Sequence, residues 1–109
     1  MGCIRVQVQY QEARVIYRHY RITAKSDHVD ELAKGLMSLA TLVRAVPGCV
    51  GVKLGRIEAP AGQFLLIEEW ESIDAHKKAG AHIPTSALKD IAAAMESSDG
   101  VYAELISAL

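Results

Sequence analysis

Residues 63–72 read Gln-Phe-Leu-Leu-Ile-Glu-Glu-Trp-Glu-Ser, the longest strand-like apolar run in the chain and the segment that holds its only tryptophan. Side chains alternate faces along a strand, so Leu65 and Ile67 fall on one side while Phe64, Leu66 and Trp70 fall on the other. Both faces are therefore apolar, and both need cover. We expect helices against one face and a second layer, such as another subunit, against the other.

The remaining segments supply that architecture. Residues 4–10 alternate Ile4, Val6, Val8 and Tyr10 with Arg5, Gln7 and Gln9, the period of a half-buried strand. A second strand over residues 15–24 puts Ile16, Tyr20, Ile22 and Ala24 on one face, with Tyr17, His19, Arg21 and Thr23 on the other. Ser26 or Asp27 is placed to cap a helix in which Val29, Leu32, Ala33, Leu36, Leu39, Ala40 and Val43 recur at three- and four-residue steps. Pro47-Gly48 ends it.

A strand over residues 49–57 leads through Ala59-Pro60-Ala61-Gly62 into the 63–72 strand, the pattern of an antiparallel hairpin. Ser72 caps a short helix running to Lys78, Gly80 breaks it, and a second helix covers residues 84–95 with Pro84 in its first turn. Residues 97–100 read as a loop and 101–106 as a final strand. With residues 1–14 set aside as an N-terminal extension carrying an extra strand, residues 15–109 have the order β-α-β-β-α-β. That is the ferredoxin-like, split βαβ form of an α+β fold.

Composition narrows the function classes. Half of the residues are apolar and 23% are charged, the balance of a globular domain and not of a disordered chain. A net charge of −1, with Lys and Arg scattered, predicts no electrostatic pull on nucleic acid or anionic membranes. No stretch has the ~20 apolar residues of a membrane span, and the start lacks signal-peptide order, so a cytoplasmic protein is expected. Cys3 and Cys49 suit neither a disulfide framework nor a zinc site, and the histidines lack metal-ligand spacing, so no bound metal is expected.

Four segments, taken together, carry a resemblance. They are Tyr20-Arg21-Ile22-Thr23-Ala24-Lys25, Arg44-Ala45-Val46-Pro47-Gly48-Cys49, Phe64-Leu65-Leu66-Ile67-Glu68-Glu69-Trp70-Glu71-Ser72, and Asp74-Ala75-His76 with Ala81-His82-Ile83. In this order they resemble the antibiotic biosynthesis monooxygenase family. The resemblance implies a dimeric α+β barrel in which two subunits pack sheet to sheet, each with a pocket between sheet and helices. It also implies cofactor-independent oxidation of a small electron-rich aromatic, quinol- or anthrone-like, by molecular oxygen. Such a substrate forms a stabilised anion that itself gives an electron to oxygen, so the protein supplies a dry pocket, a proton acceptor and polar positioning.

On that resemblance His82 is the leading base, with His76 and Glu68 as the other catalytic candidates; Trp70, Tyr20 and Leu66 are the substrate-binding candidates. Each has a plainer reading: a packed core residue for Trp70 and Tyr20, a carboxylate held by an arginine or helix end for Glu68, a surface histidine for His76 and His82. The chain contains no asparagine, whereas anthrone oxidisers and haem degraders of the superfamily rely on one in the pocket; Tyr20 and Leu66 stand at the matching positions. A non-catalytic dimeric small-molecule binding or stress-response module is therefore the alternative, and haem degradation a third.

Overall fold

In the computed structural model, residues 15–107 are described. The extra strand expected over residues 4–10 lies outside them. Strand β1 spans Ile16–Ala24, helix α1 Val29–Arg44, β2 Cys49–Arg56, β3 Gln63–Trp70, α2 Ile73–Lys78, a 3-10 turn Ala79–His82, α3 Thr85–Ala94 and β4 Met95–Glu104. The strands form one sheet in the order β2-β3-β1-β4, every pairing antiparallel. This is the ferredoxin-like α+β fold that the order of elements implied.

The alternation in β3 is realised as read. Phe64, Leu66, Glu68 and Trp70 are buried, and Gln63, Leu65, Ile67 and Glu69 are half-buried on the opposite face. In β1 the buried residues are Ile16, Ile22 and Ala24. Helix α1 lays Leu32, Leu36 and Val43 against this side of the sheet, and fully burying a leucine such as Leu32 or Leu36 contributes about 2 kcal/mol. Two clusters result: Leu32, Leu36, Phe64, Leu66 and Ile91 form one, while Val43, Val46, Trp70 and Ala79 form the other.

Local expectations were corrected at four places. Neither Ser26 nor Asp27 caps α1; the N-cap is His28, which makes no side-chain cap bond, and Leu32 N–H donates to the His28 carbonyl at 2.9 Å. The short helix ends at Lys78 as expected, but Gly80 lies inside the 3-10 turn Ala79–His82 that follows directly and does not end the helical winding. Pro84 is the residue before α3 and not within its first turn, and α3 ends at Ala94.

The fourth correction is the largest. Residues 97–100 are strand and not loop, because Ser97, Ser98, Asp99 and Gly100 pair with Thr23, Ile22, Arg21 and Tyr20 of β1. Ladder hydrogen bonds outweigh the turn preference of a Ser-Ser-Asp-Gly sequence. As an edge strand exposed along nearly its whole length, β4 needs no apolar alternation.

Candidate active site

A cavity of about 410 Å³ opens between the sheet and the helices. Its wide apolar wall includes Leu36, Leu39 and Val43 of α1 and Leu88 and Ile91 of α3, and its polar lining comes from Tyr20, Glu68, His76, Lys77 and Ser98. Tyr20, Leu66, Glu68, Trp70 and His76, five of the six candidate residues, line this one space.

His76 reaches the cavity because three local features fix α2. Ser72 caps it, its Oγ accepting from Ala75 N–H at 3.0 Å. Gly48, with φ of +88°, lets the preceding chain pass so close to Ala75 that a β-carbon there would lie 2.7 Å from the Ala75 β-carbon. Glu71 N–H also donates to the Gly48 carbonyl at 2.9 Å. With Ala75 against the Gly48 turn, the next residue is carried toward the sheet.

His82 is placed elsewhere. It is exposed at the end of the 3-10 turn and borders a separate surface depression beside Pro47 and Glu71. Burial of apolar surface decides the turn's orientation: Ala79 is buried and Ile83 half-buried toward the cavity, leaving the imidazole between them to water.

Around His76 the geometry is close. Tyr20 Oη lies 2.8 Å from His76 Nε2, and Tyr102 Oη lies 2.7 Å from His76 Nδ1. The indole of Trp70 meets the imidazole edge-on, ring centres 5.5 Å apart. Trp70 Nε1–H donates to Glu68 Oε1 at 3.0 Å, and that oxygen stands 3.7 Å from His76 Nε2. Arg18 sets its guanidinium over both tyrosine rings, 4.8 Å from the centre of Tyr20 and 4.4 Å from that of Tyr102.

Burial governs the titration of these groups. Loss of water around His76 lowers its basicity, and the Arg18 cation lowers it further, so the ring is neutral near neutral pH. Burial pushes the Glu68 carboxyl up, against the opposing pull of the Trp70 hydrogen bond and of Arg18. Burial likewise raises Tyr20, with the Arg18 hydrogen bond working against it. With His76 neutral, its 3.7 Å approach to Glu68 is a proximity and not an ion pair. The assembly is a neutral imidazole at the polar end of an apolar cavity, which is the placement a proton acceptor requires.

Residues 15–83 match the model of the antibiotic biosynthesis monooxygenase family. The chain belongs to that family. No significant match emerged among curated protein sequences. Among solved structures, a Pseudomonas aeruginosa protein superposes with a TM-score of 0.78 at 19% identity, covering 88% of this chain and 98% of that one. SnoaB of Streptomyces nogalater, a cofactor-independent oxygenase solved as an asparagine-to-alanine mutant, gives a TM-score of 0.75 at 20% identity, covering 87% and 96%. An antibiotic biosynthesis monooxygenase gives 0.69 at 22%, covering 86% and 99%. At these identities the likeness establishes the fold.

Two members of the site were not singled out by the sequence. Tyr102 was placed in a strand, but its partner His76 lies 26 positions earlier on another element. Arg18 shares the parity of Tyr20 and Ile22, the one signal that places it on the helix-facing side. No helix among the described residues is long and apolar enough to cross a membrane, and no cluster of three or more His, Cys, Asp or Glu residues among them is arranged to hold a metal ion.

Proposed function

We propose that this family member is a cofactor-independent monooxygenase or oxidase for a small electron-rich aromatic bearing one acidic O–H or C–H group, quinol- or anthrone-like. The observation that carries the reading is the neutral His76, its Nε2 at the polar end of a largely apolar cavity. His76 takes the substrate proton, and the apolar walls exclude water so that the resulting anion is held beside its oxidant. The anion supplies the electrons. For a methylene between aromatic rings the balance is CH2 plus O2 to C=O plus water; for a quinol it is quinone plus hydrogen peroxide. Tyr20 orients the substrate oxygen, Trp70 and Leu66 wall the ring, and Glu68 anchors the indole. His76 replaces His82 as base in this reading.

The outer sheet face, where Tyr17, His19, Leu65, Ile67 and the 60%-exposed Val101 lie together, pairs with the same face of a second chain. The working unit is then a homodimer with one cavity in each subunit.

Isotopically labelled dioxygen offered with a panel of hydroquinones and anthrones tests the reaction. Label in the product carbonyl, or stoichiometric peroxide with quinone, supports it; oxygen uptake no greater than in buffer across the panel removes it. The absence of asparagine from the chain favours one other reading, a dimeric module that binds such aromatics without turnover. A ligand-induced rise in melting temperature with no product would mark that case.

A further inference from the structure

Tyr102 stands on exposed β4 directly across from Arg18 of β1, and Gly100 stands across from Tyr20. A β-carbon at Gly100 would lie 2.6 Å from a terminal nitrogen of Arg18, so the glycine leaves room for the guanidinium between the two tyrosine rings. Tyr102 is thereby braced with its Oη 2.7 Å from His76 Nδ1, its ring edge-on to the imidazole at 82° and 5.3 Å. Side-chain exposure climbs along this path, from 5% at Glu68 to 17% at His76, and Tyr102 as a residue is 37% exposed.

Counting protons selects one arrangement. A neutral imidazole has one N–H and one bare nitrogen. With the proton on Nε2, that N–H would point at Tyr20 Oη, and the half-buried Tyr20 hydroxyl would have its own hydrogen facing an apolar cavity with no acceptor. Among the described residues the other groups acting on Tyr20 are Arg18, which has donors alone, and Glu68 and Tyr102, which act on it through space without a hydrogen bond to it. With the proton on Nδ1, the Tyr20 hydroxyl donates to Nε2, Nδ1–H donates to Tyr102 Oη, and the exposed Tyr102 hydroxyl donates to water. Every group is satisfied only in the second case, and an unsatisfied buried donor is costly.

We propose that Tyr102 is a positioning residue for His76, accepting Nδ1–H so that Nε2 is the basic nitrogen facing the cavity, and that its hydroxyl is the outlet through which His76 exchanges protons with water. The proposal rests on the oxygenase reading for its purpose but not for its test. In a turnover the Tyr20 O–H proton passes to Nε2 as Tyr20 Oη takes the substrate proton. The imidazolium then passes its Nδ1 proton to Tyr102 Oη as the Tyr102 O–H proton leaves to water. The ring is neutral again, now protonated on Nε2. That proton returns to Tyr20 Oη as Tyr20 gives its own to the dioxygen-derived species that the substrate anion reduces, and a proton drawn in from water through Tyr102 restores Nδ1–H.

Nitrogen NMR of the full chain labelled at histidine reads the tautomer, with His76 assigned by the signal lost in His76→Gln. At about pH 8, where the ring is neutral, wild type is expected to carry its proton on Nδ1. Tyr102→Phe keeps the ring over Arg18 but removes the acceptor, and the ratio of Nε2–H to Nδ1–H forms should rise roughly tenfold, the scale of one lost hydrogen bond. A wild-type ring protonated on Nε2 would overturn the proposal even if the variant failed to fold, as would a ratio unchanged in a folded Tyr102→Phe. Oxygen uptake plays no part in this readout, so failure of the proposed reaction and failure of this inference are told apart.

Discussion

Tyr20 Oη and His76 Nε2 meet at 2.8 Å across 56 residues of sequence, joining an inner strand of the sheet to a six-residue helix. That one hydrogen bond sets the polar end of the cavity, because Tyr20 is held in β1 between β3 and β4 while α2 is fixed by Ser72 and Gly48. Four outcomes follow from the way these parts are held.

The pH dependence of stability separates two buried groups. Glu68 has its folded pKa raised by burial above the ordinary 4.5, so the folded state holds more protons than the unfolded; its contribution is present below 4.5 and is lost as pH rises through the folded value. His76 has its folded pKa lowered by burial and by Arg18, so its contribution is present above 6.5 and is lost as pH falls through the folded value. Opposite slopes partly cancel in wild type. Glu68→Gln removes the first and keeps an acceptor for Trp70, so its melting temperature should exceed that of wild type near neutral pH, with the gain shrinking toward pH 4.5. Calorimetry across that range checks it; a Glu68→Gln protein less stable than wild type at neutral pH would show that the charged carboxylate is wanted.

Two glycines should respond differently to alanine. Gly48→Ala places a β-carbon against Ala75 at a positive φ, where neither backbone can yield, and should cost about 1–3 kcal/mol. A loss of 1 kcal/mol lowers the melting temperature by roughly 4–8 °C in a domain of this size. Gly100→Ala meets the flexible end of Arg18 and, at 3.2 Å, the Tyr20 ring, without a positive φ, and should cost less, about 1 kcal/mol, while displacing the guanidinium from the tyrosines. Equal losses for the two would contradict this account of α2.

Ile67 faces away from the helices, opposite Lys53 in β2 and His19 in β1. On the proposed dimer a second cation beside Lys53 is buried with no opposite charge directly across from it, so Ile67→Lys should dissociate the protein at micromolar concentration. Light scattering should give twice the mass of one chain for wild type and a single chain's mass for the variant. A monomeric wild type would leave the outer face without its proposed cover.

The alternating residues of β1 and β3 and the three-and-four spacing of α1 were legible in the sequence because burial on one face writes a period into the chain. Glu68 and Trp70 fall on one face by the same rule, and they share a hydrogen bond there. The extent of β4 was not legible, since an edge strand exposed on both faces carries no period and Ser97 to Gly100 spell a turn in isolation. Choosing between His76 and His82 was also beyond sequence. They lie six positions apart, and what turns one to the cavity and the other to water is the seating of Ala75 against Gly48 and of Ala79 in the core. Tyr102 and Arg18 escaped notice because their roles exist only across paired strands.

The assignment of His76 as base is tested most directly by oxygen uptake on a quinol or anthrone substrate, comparing wild type, His76→Gln and His82→Gln. His76→Gln should lose about 10²-fold or more of the rate, the scale of a positioned general base, while His82→Gln, altering an exposed residue outside the cavity, should stay within about twofold of wild type. Full activity in His76→Gln, or its loss in His82→Gln alone, would contradict the account.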